Sequence, residues 1–403
     1  MPALDTTKVL DFSQVIFGAT ASQVLADHGA DVIKIERPGQ GDLSRAFGPW
    51  QNGQSLPFAS INRTKRSLAI NLKIPEGLEI VHCLLESADV LLHNFRPGVM
   101  EKLGLDYPTL EERYPRLVYA VGSGYGTQGP YAERNKAGHE SMAQALSGLV
   151  DRFIGPHDTP QRLPYTLADF TGGMLLAQAI LLALLARERS GRGQELETSL
   201  LDGVMSLQAW ETTTALNTQG PQDHGAGGAT DPLGNPLDGA VFATADGYLM
   251  ITALFRPVDQ LMVSLSRALE VPALGTDPRF QTLDGLKTHR QKLRDTLTPI
   301  LVTRTNDAWI ARLEAEDILC APVRSTGEAL ADPQLKVNNL LVEVEHPQAG
   351  TFRHIGTPLR LKGTPAAKAK AAPVLGEHTD EILRQAGYRD EEIAAFRVQG
   401  IID

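Results

Sequence analysis

The sequence predicts an α/β fold, with a large Rossmann-like domain built on a parallel sheet and a smaller α+β domain attached to it. Three observations predict this. Lys8-Val9-Leu10-Asp11-Phe12 reads as a strand, Gly18 to Asp27 as a helix and Asp31 to Glu36 as a second strand, which makes one βαβ unit. The pattern recurs downstream, with a helix from Pro75 to Ala88 followed by the strand Asp89-Val90-Leu91-Leu92. Finally, 403 residues exceed what one simple core supports.

Taken in order, the first strand is short, and Gly29 closes the helix that follows it. The second strand alternates around Val32, Ile33 and Ile35 and stops at Arg37-Pro38-Gly39. No Gly-x-Gly-x-x-Gly joins the first strand to its helix, which argues against a dinucleotide cofactor. Next come Asn62-Arg63-Thr64-Lys65-Arg66-Ser67 and the apolar alternation Leu68, Ile70, Leu72. The basic run reads either as a solvated turn or as a phosphate contact. Arg37, Arg66 and Arg96 fall near predicted strand ends, and one edge of an open α/β sheet is where ligands bind. Leu117 to Val121 is a further strand, leading into a turn with glycines at 122, 124, 126 and 129. Lys136-Ala137-Gly138-His139-Glu140 then opens a helix through Leu149.

The stretch from Pro164 to Leu201 organises the rest. After Gly172-Gly173, the residues from Met174 to Leu185 are apolar nearly all round, which predicts a helix opened by the glycines and buried in a large core. Arg187, Glu188 and Arg189, followed by Gly191 and Gly193, supply its C-terminus. Asp169 is thereby placed at or just outside the N-terminus, where free backbone N–H groups should keep its carboxylate ionised. By this pattern alone Asp169 is either a helix cap or a nucleophile or base, and His139 either a hydrogen-bonded bystander or an acid/base group.

Beyond it, residues 206–224 read as a linker, 225–325 as the smaller domain and 326–403 as a return segment completing the large one, with 363–373 as an exposed crossing. The net charge of −10 argues against nucleic-acid binding. Cys83 and Cys320 have no metal-ligand or redox spacing, and no metal site is expected. The N-terminus shows no basic segment running into an apolar one, and the apolar run 172–186 is shorter than the ~20 residues of a membrane span. A cytoplasmic protein with no membrane partner is expected.

The chain resembles the family III CoA-transferases, the CaiB/BaiF family, which includes formyl-CoA transferase and a divergent alpha-methylacyl-CoA racemase branch. The resemblance is carried in order by Val9-Leu10-Asp11-Phe12, the run from Ala26 to Pro38, Asn62 to Ser67, Asn94-Phe95-Arg96-Pro97-Gly98, Ser190-Gly191-Arg192-Gly193-Gln194 and Leu375-Gly376-Glu377-His378-Thr379. It implies that Asp169 is the nucleophile that attacks an acyl-CoA thioester and forms a mixed anhydride, with the following glycines offering N–H groups to the oxyanion. Arg37, Asn71, Leu72, Lys73, Asn94, Phe95, Arg96, Lys102 and Lys136 are implied as CoA-binding positions. The resemblance further implies acyl-CoA and a small carboxylic acid as substrates, no tightly bound cofactor, and a homodimer whose subunits interlock.

The chain departs from the formyl-CoA transferase pattern at Ile16, where that enzyme has glutamine, and its nearest multi-glycine loop, Gly225-Ala226-Gly227-Gly228, stands in different surroundings. Histidine at 139 resembles the racemase branch, in which His139 and Asp169 would act as the acid/base pair. That branch's supporting glutamate is replaced by Arg256, in Leu254-Phe255-Arg256-Pro257, leaving Glu140 as the nearby carboxylate. Transfer of CoA is therefore the leading expectation, ahead of racemisation and of CoA-ester binding without turnover. An arginine fork suits an acyl carboxylate, so Arg256 or Arg45 reads either as the group that meets a dicarboxylic or similarly anionic acyl group or as a surface arginine.

Overall fold

The computed structural model describes residues 1–153, 159–218, 235–252 and 256–403. Gly225 to Gly228, Leu254 and Phe255 lie outside these. The chain divides into two compact units, residues 1–219 with 334–403 and residues 220–333.

In the first unit the strands are β1 (Lys8–Asp11), β2 (Asp31–Glu36), the two-residue pair β3 (Trp50–Gln51) and β4 (Gln54–Ser55), β5 (Arg66–Ala69), β6 (Val90–His93), β7 (Val118–Ser123) and β8 (Glu195–Ser199). Six of them form one sheet in the order β5-β2-β1-β6-β7-β8, parallel throughout. The order reverses between β1 and β6, and at such a switch point a crevice opens beyond the strands' carboxyl ends.

Alternation along each strand divides the core into two layers. Val9, Val32, Val90, Leu92, Val118 and Ala120 face the first helix, Phe17–Asp27, and a long helix, Leu167–Ser190. Leu10, Ile33, Leu68, Leu91 and Tyr119 face the opposite way, toward the helices Pro75–Leu85 and Thr379–Gln385. The predicted strands β1, β2, β6 and β7 are present within a residue or two, as is the Rossmann-like layering.

The long helix differs from its prediction in three ways. It begins at Leu167, so Gly172 and Gly173 lie inside it and Asp169 sits in its first turn. Its 24 residues are long and apolar enough, by length and composition, to cross a membrane; in this fold it packs against the first helix, β7, β8 and the helix Leu200–Leu207. It is also buried on one face only: Phe170, Met174, Leu181, Leu182 and Leu185 are exposed.

The internal glycines allow a close helix crossing. A Cβ on Gly173 would lie 2.6 Å from the Phe17 carbonyl oxygen and 2.6 Å from Thr20 Cβ, and one on Gly172 would lie 2.9 Å from the Phe17 ring. Gly173→Ala is expected to destabilise the fold by about 1–3 kcal/mol through this overpacking. An unchanged denaturant midpoint would show that the crossing yields without cost.

In the second unit β9 (Ala240–Ala243), β10 (Tyr248–Thr252) and β11 (Leu319–Pro322) form an antiparallel sheet in the order β11-β10-β9, over a core that includes Trp309, Phe280 and Leu297. The stretch expected as a linker from residue 206 is helical at Ala209–Asn217. In the return segment β12 (Leu341–His346) and β13 (Gly350–Ile355) form a hairpin, and the 363–373 crossing is pinned where the Lys370 carbonyl accepts the Thr64 amide at 3.1 Å.

Candidate active site

A cavity of about 800 Å³ opens at the switch point of the large sheet. The loop after β1, Gln14 to Phe17, forms one wall, and Asn94 to Pro97 after β6 form the next. Gly122 to Gly126 at the end of β7, Lys136 with Gly138 to Ser141, Arg162, Pro164 to Thr166 and Asp169 complete it. His139 and Asp169, widely separated in sequence, therefore line one cavity. The close approach of Gly124 and Gly138 permits this, since a Cβ on either would fall 2.5–2.6 Å from the other's Cα.

Asp169 is held from behind by Glu140, a 7% exposed carboxylate at the start of the helix Glu140–Leu146. Glu140 Oε1 accepts the Ala168 amide at 3.0 Å, and Oε2 accepts the Asp169 amide at 2.9 Å. Glu140 thus takes the free N–H groups of the long helix that were expected to serve Asp169 itself. Gln144, fully buried, donates to Glu140 at 2.7 Å and to the carbonyls of Leu163 and Tyr165, and its Oε1 accepts the Leu163 amide at 3.0 Å. One buried pair therefore anchors both the turn carrying Asp169 and the loop carrying Arg162.

The electrostatic consequence reverses the sequence expectation. Burial first, and then the charge of and hydrogen bond to Glu140, push the Asp169 carboxyl up from 3.8 to about 7. It is not held ionised by the helix. Nor do Gly172 and Gly173 offer N–H groups to an oxyanion, because both lie within the hydrogen-bonded body of the helix. His139 caps its own helix, with Nδ1 accepting the Ser141 amide at 3.2 Å. In the neutral ring the proton is then on Nε2.

Of the positions implied for CoA, Asn94, Phe95, Arg96 and Lys136 line the cavity. Arg37, Asn71, Leu72, Lys73 and Lys102 do not; Arg37 follows β2 and Asn71 to Lys73 follow β5, farther along the same carboxyl edge. Arg37 bonds Gln40 at 3.1 Å, and Asn71 Oδ1 accepts the Lys73 amide at 3.1 Å. The Asn94 side chain is engaged within the protein: Oδ1 accepts the Gln14 amide and Nδ2 donates to the Gln14 carbonyl, both at 2.8 Å, closing the switch point. His93 Nδ1 accepts the Phe95 amide at 3.3 Å and its ring stacks on Phe95, while burial lowers its pKa to about 4 and keeps it neutral. Lys136 stands 4.4 Å from the centre of the Tyr131 ring, in cation–π contact.

Several expected sites are structural instead. Arg45 forms a two-pronged pair with Glu36 at 2.7 Å, donates to the Pro373 carbonyl and stacks on Phe58, so it is not free to read a substrate. Arg256 lies in the second unit and donates to the Glu316 carbonyl at 2.8 Å. In the basic run Arg63 pairs with Asp27, Lys65 with Asp11, and Arg66 with Asp31 and Glu381. Arg66 begins β5 rather than ending it, so it stands at the edge opposite the cavity. Ile16 does line the cavity.

Glu140, Gln144 and Arg162 are the parts that sequence reasoning missed or undervalued. The Glu140–Gln144 spacing of one helical turn was a readable signal for a paired face. For Arg162 no local pattern existed. Among the described residues, no group of three or more histidine, cysteine or acidic side chains could hold a metal ion.

Comparison with known proteins identifies the family. Residues 4–379 match the family described as CoA-transferase family III. The chain is 32% identical to a Mus musculus succinyl-CoA:glutarate CoA-transferase, over all of this chain and 91% of that one. It is 34% identical to an Escherichia coli formyl-CoA:oxalate CoA-transferase, covering 98% of each. A crystal structure of a CaiB/BaiF family protein from Brucella suis superposes with a TM-score of 0.85 at 30% identity, over 96% of this chain and 99% of that one. With an acidic side chain in the first turn of a half-buried helix, on the wall of a switch-point cavity, and with these relatives along its whole length, the chain belongs to CoA-transferase family III and is an enzyme of the transferase type.

Proposed function

We propose that the enzyme moves CoA from an acyl-CoA donor to a free carboxylic acid through an aspartyl intermediate on Asp169, and that the acyl groups are small dicarboxylates or similarly anionic acids. The observation that carries this is the Asp169 carboxyl, on the cavity wall with its pKa raised to about 7 by burial and Glu140. A desolvated carboxylate is a stronger nucleophile than a hydrated one. Its oxygen attacks the thioester carbonyl, the C–S bond breaks, and CoA leaves as thiolate from an aspartyl–acyl anhydride. The thiolate then attacks the aspartyl carbonyl, releasing the donor acid and leaving an aspartyl–CoA thioester. The acceptor carboxylate attacks that thioester in turn, and the returning thiolate takes the new acyl group, regenerating Asp169. Atoms and charge balance with no other reactant.

For the anionic acyl class, support comes from Arg96, Arg162 and Lys136, all lining the cavity, and from the glutarate and oxalate named for the two relatives. Arg37, Asn71, Leu72, Lys73 and Lys102, outside the cavity, are the surface proposed for the nucleotide end of CoA. The racemase reading uses His139 as the second acid/base group, and here one of its two ring nitrogens, Nδ1, is already engaged by the Ser141 amide.

The deciding experiment incubates the enzyme in heavy water with succinyl-CoA, formyl-CoA or a 2-methylacyl-CoA and a panel of free acids, following every CoA ester by mass. New acyl-CoA species are expected with dicarboxylate acceptors. Deuterium entering the alpha carbon of a 2-methylacyl-CoA without acyl exchange would make the protein a racemase, and no change in any ester would leave a binding protein.

A homodimer belongs to the same proposal. The exposed stripe Phe170, Met174, Leu181, Leu182 and Leu185 on the long helix needs an apolar cover, and a second copy supplies one. Sedimentation equilibrium is expected to give twice the 43.6 kDa chain mass. A monomer at micromolar concentration would refute this part.

A further inference from the structure

Val15 stands at φ +64°, in the middle of the loop that forms the β1 wall of the cavity. A β-branched residue there is an outlier, and such strain persists only where the surroundings over-determine it. The surroundings here are a set of fully buried charges. Asp42 Oδ1 accepts the Val15 amide at 3.1 Å, while Oδ2 pairs with Lys34 Nζ at 2.8 Å, and neither ion has any solvent exposure. Ser44 orients the same carboxylate through its amide at 2.7 Å and its hydroxyl at 2.6 Å. Lys34 also donates to the Ser13 carbonyl at 2.9 Å, just before the loop, and Asn94 holds both backbone groups of Gln14. Just after the loop, Phe17 wedges between Gly122 and Gly172, and its carbonyl oxygen lies against Gly173 in the turn after Asp169.

Stability does not by itself account for this pair, because a buried ion pair is often no better than an apolar replacement. Its distinctive contact is with the Val15 amide. We propose that the Asp42–Lys34 pair is a positioning device: it holds Val15 in the left-handed conformation and so fixes the Gln14–Phe17 wall relative to the helix that carries Asp169. Lys34 and Asp42 touch no substrate and act through the backbone of Val15. The effect on turnover rests on the proposed transferase reading; the effect on the loop does not.

The test is a rescue. Asp42→Asn keeps the shape of the side chain and removes its charge. Hydrogen exchange in the peptide spanning residues 13–17 is expected to accelerate roughly tenfold or more. The kcat for CoA transfer is expected to fall roughly 10- to 100-fold, with KM for the acyl-CoA changed by less than about threefold. Adding Val15→Gly, which adopts positive φ without a Cβ penalty, is expected to restore most of both. Equal losses in the single and double variants would overturn the proposal, as would unchanged exchange in Asp42→Asn. If wild-type enzyme transfers no CoA, the functional reading fails and the exchange data still decide the positioning. Should Asp42→Asn not fold, Ser44→Ala removes the hydroxyl that orients Asp42 and exposes no charge; the same acceleration, smaller and again reversed by Val15→Gly, is expected.

Discussion

Asp169→Ala is expected to lower CoA transfer by roughly 10⁴-fold or more, because it removes the only group proposed to bond covalently to the acyl carbon. With wild-type enzyme, brief incubation with an acyl-CoA and acid quenching should leave a mass adduct on the peptide containing Asp169. The alanine variant should show none, although it keeps the cavity. Transfer at near wild-type rate in Asp169→Ala would end the covalent scheme. A companion variant tests the electrostatics. The Asp169 carboxyl is raised from 3.8 to about 7 in the folded protein, so between those values the folded chain keeps a proton that the unfolded chain has lost. Stability therefore falls as pH rises through that window, the opposite of a salt-bridged carboxylate. Asp169→Asn, which cannot ionise, is expected to melt above wild type at pH 8 and level with it at pH 4. The advantage should appear progressively between pH 4 and 7, and equal melting at both ends would show that the Asp169 carboxyl is not desolvated.

Glu140→Gln is expected to have the second largest effect, and it separates two causes of the raised pKa. Burial is the larger cause and remains in the variant, whereas the charge of Glu140 disappears. The acid limb of the pH–rate profile, reporting Asp169 ionisation, should move below 7 without reaching the ordinary carboxylate value. The single amide oxygen of glutamine cannot accept all three donors now shared by Ala168, Asp169 and Gln144. A stability loss of about 1–3 kcal/mol is expected from the lost charge-assisted bond. Turnover at the new optimum should fall roughly tenfold or more, because the turn carrying Asp169 loses its anchor. An acid limb that does not move would assign the whole shift to burial.

Where the sequence reading succeeded and where it failed have a common physical origin. Strands such as β2 and β6 were legible because their apolar residues alternate or run continuously, and that pattern depends on neighbours along the chain. The long helix was legible as a helix, but its start was misplaced by five residues or so, because glycine was read as an opening signal when it serves a helix crossing against Phe17. The charged residues were the least legible. Arg45, Arg63, Lys65, Arg66 and Arg256 all look like anion binders as residues in a row, and all five are engaged by carboxylates or carbonyls brought from elsewhere in the chain.

The sequence by itself determined the α/β class and the strands β1, β2, β6 and β7 with the helices between them, because local periodicity carries that information, and motif order singled out Asp169 as a candidate. The tertiary structure decided which charges remain available to a substrate and which way the Asp169 carboxyl is shifted. It joined Glu140 to the helix N-terminus that carries Asp169, Glu36 to Arg45, and Asp42 to Val15. The physical reason is that a charge acts through the solvent and partners within a few ångströms of it, and the fold brings those partners together from distant positions in the chain.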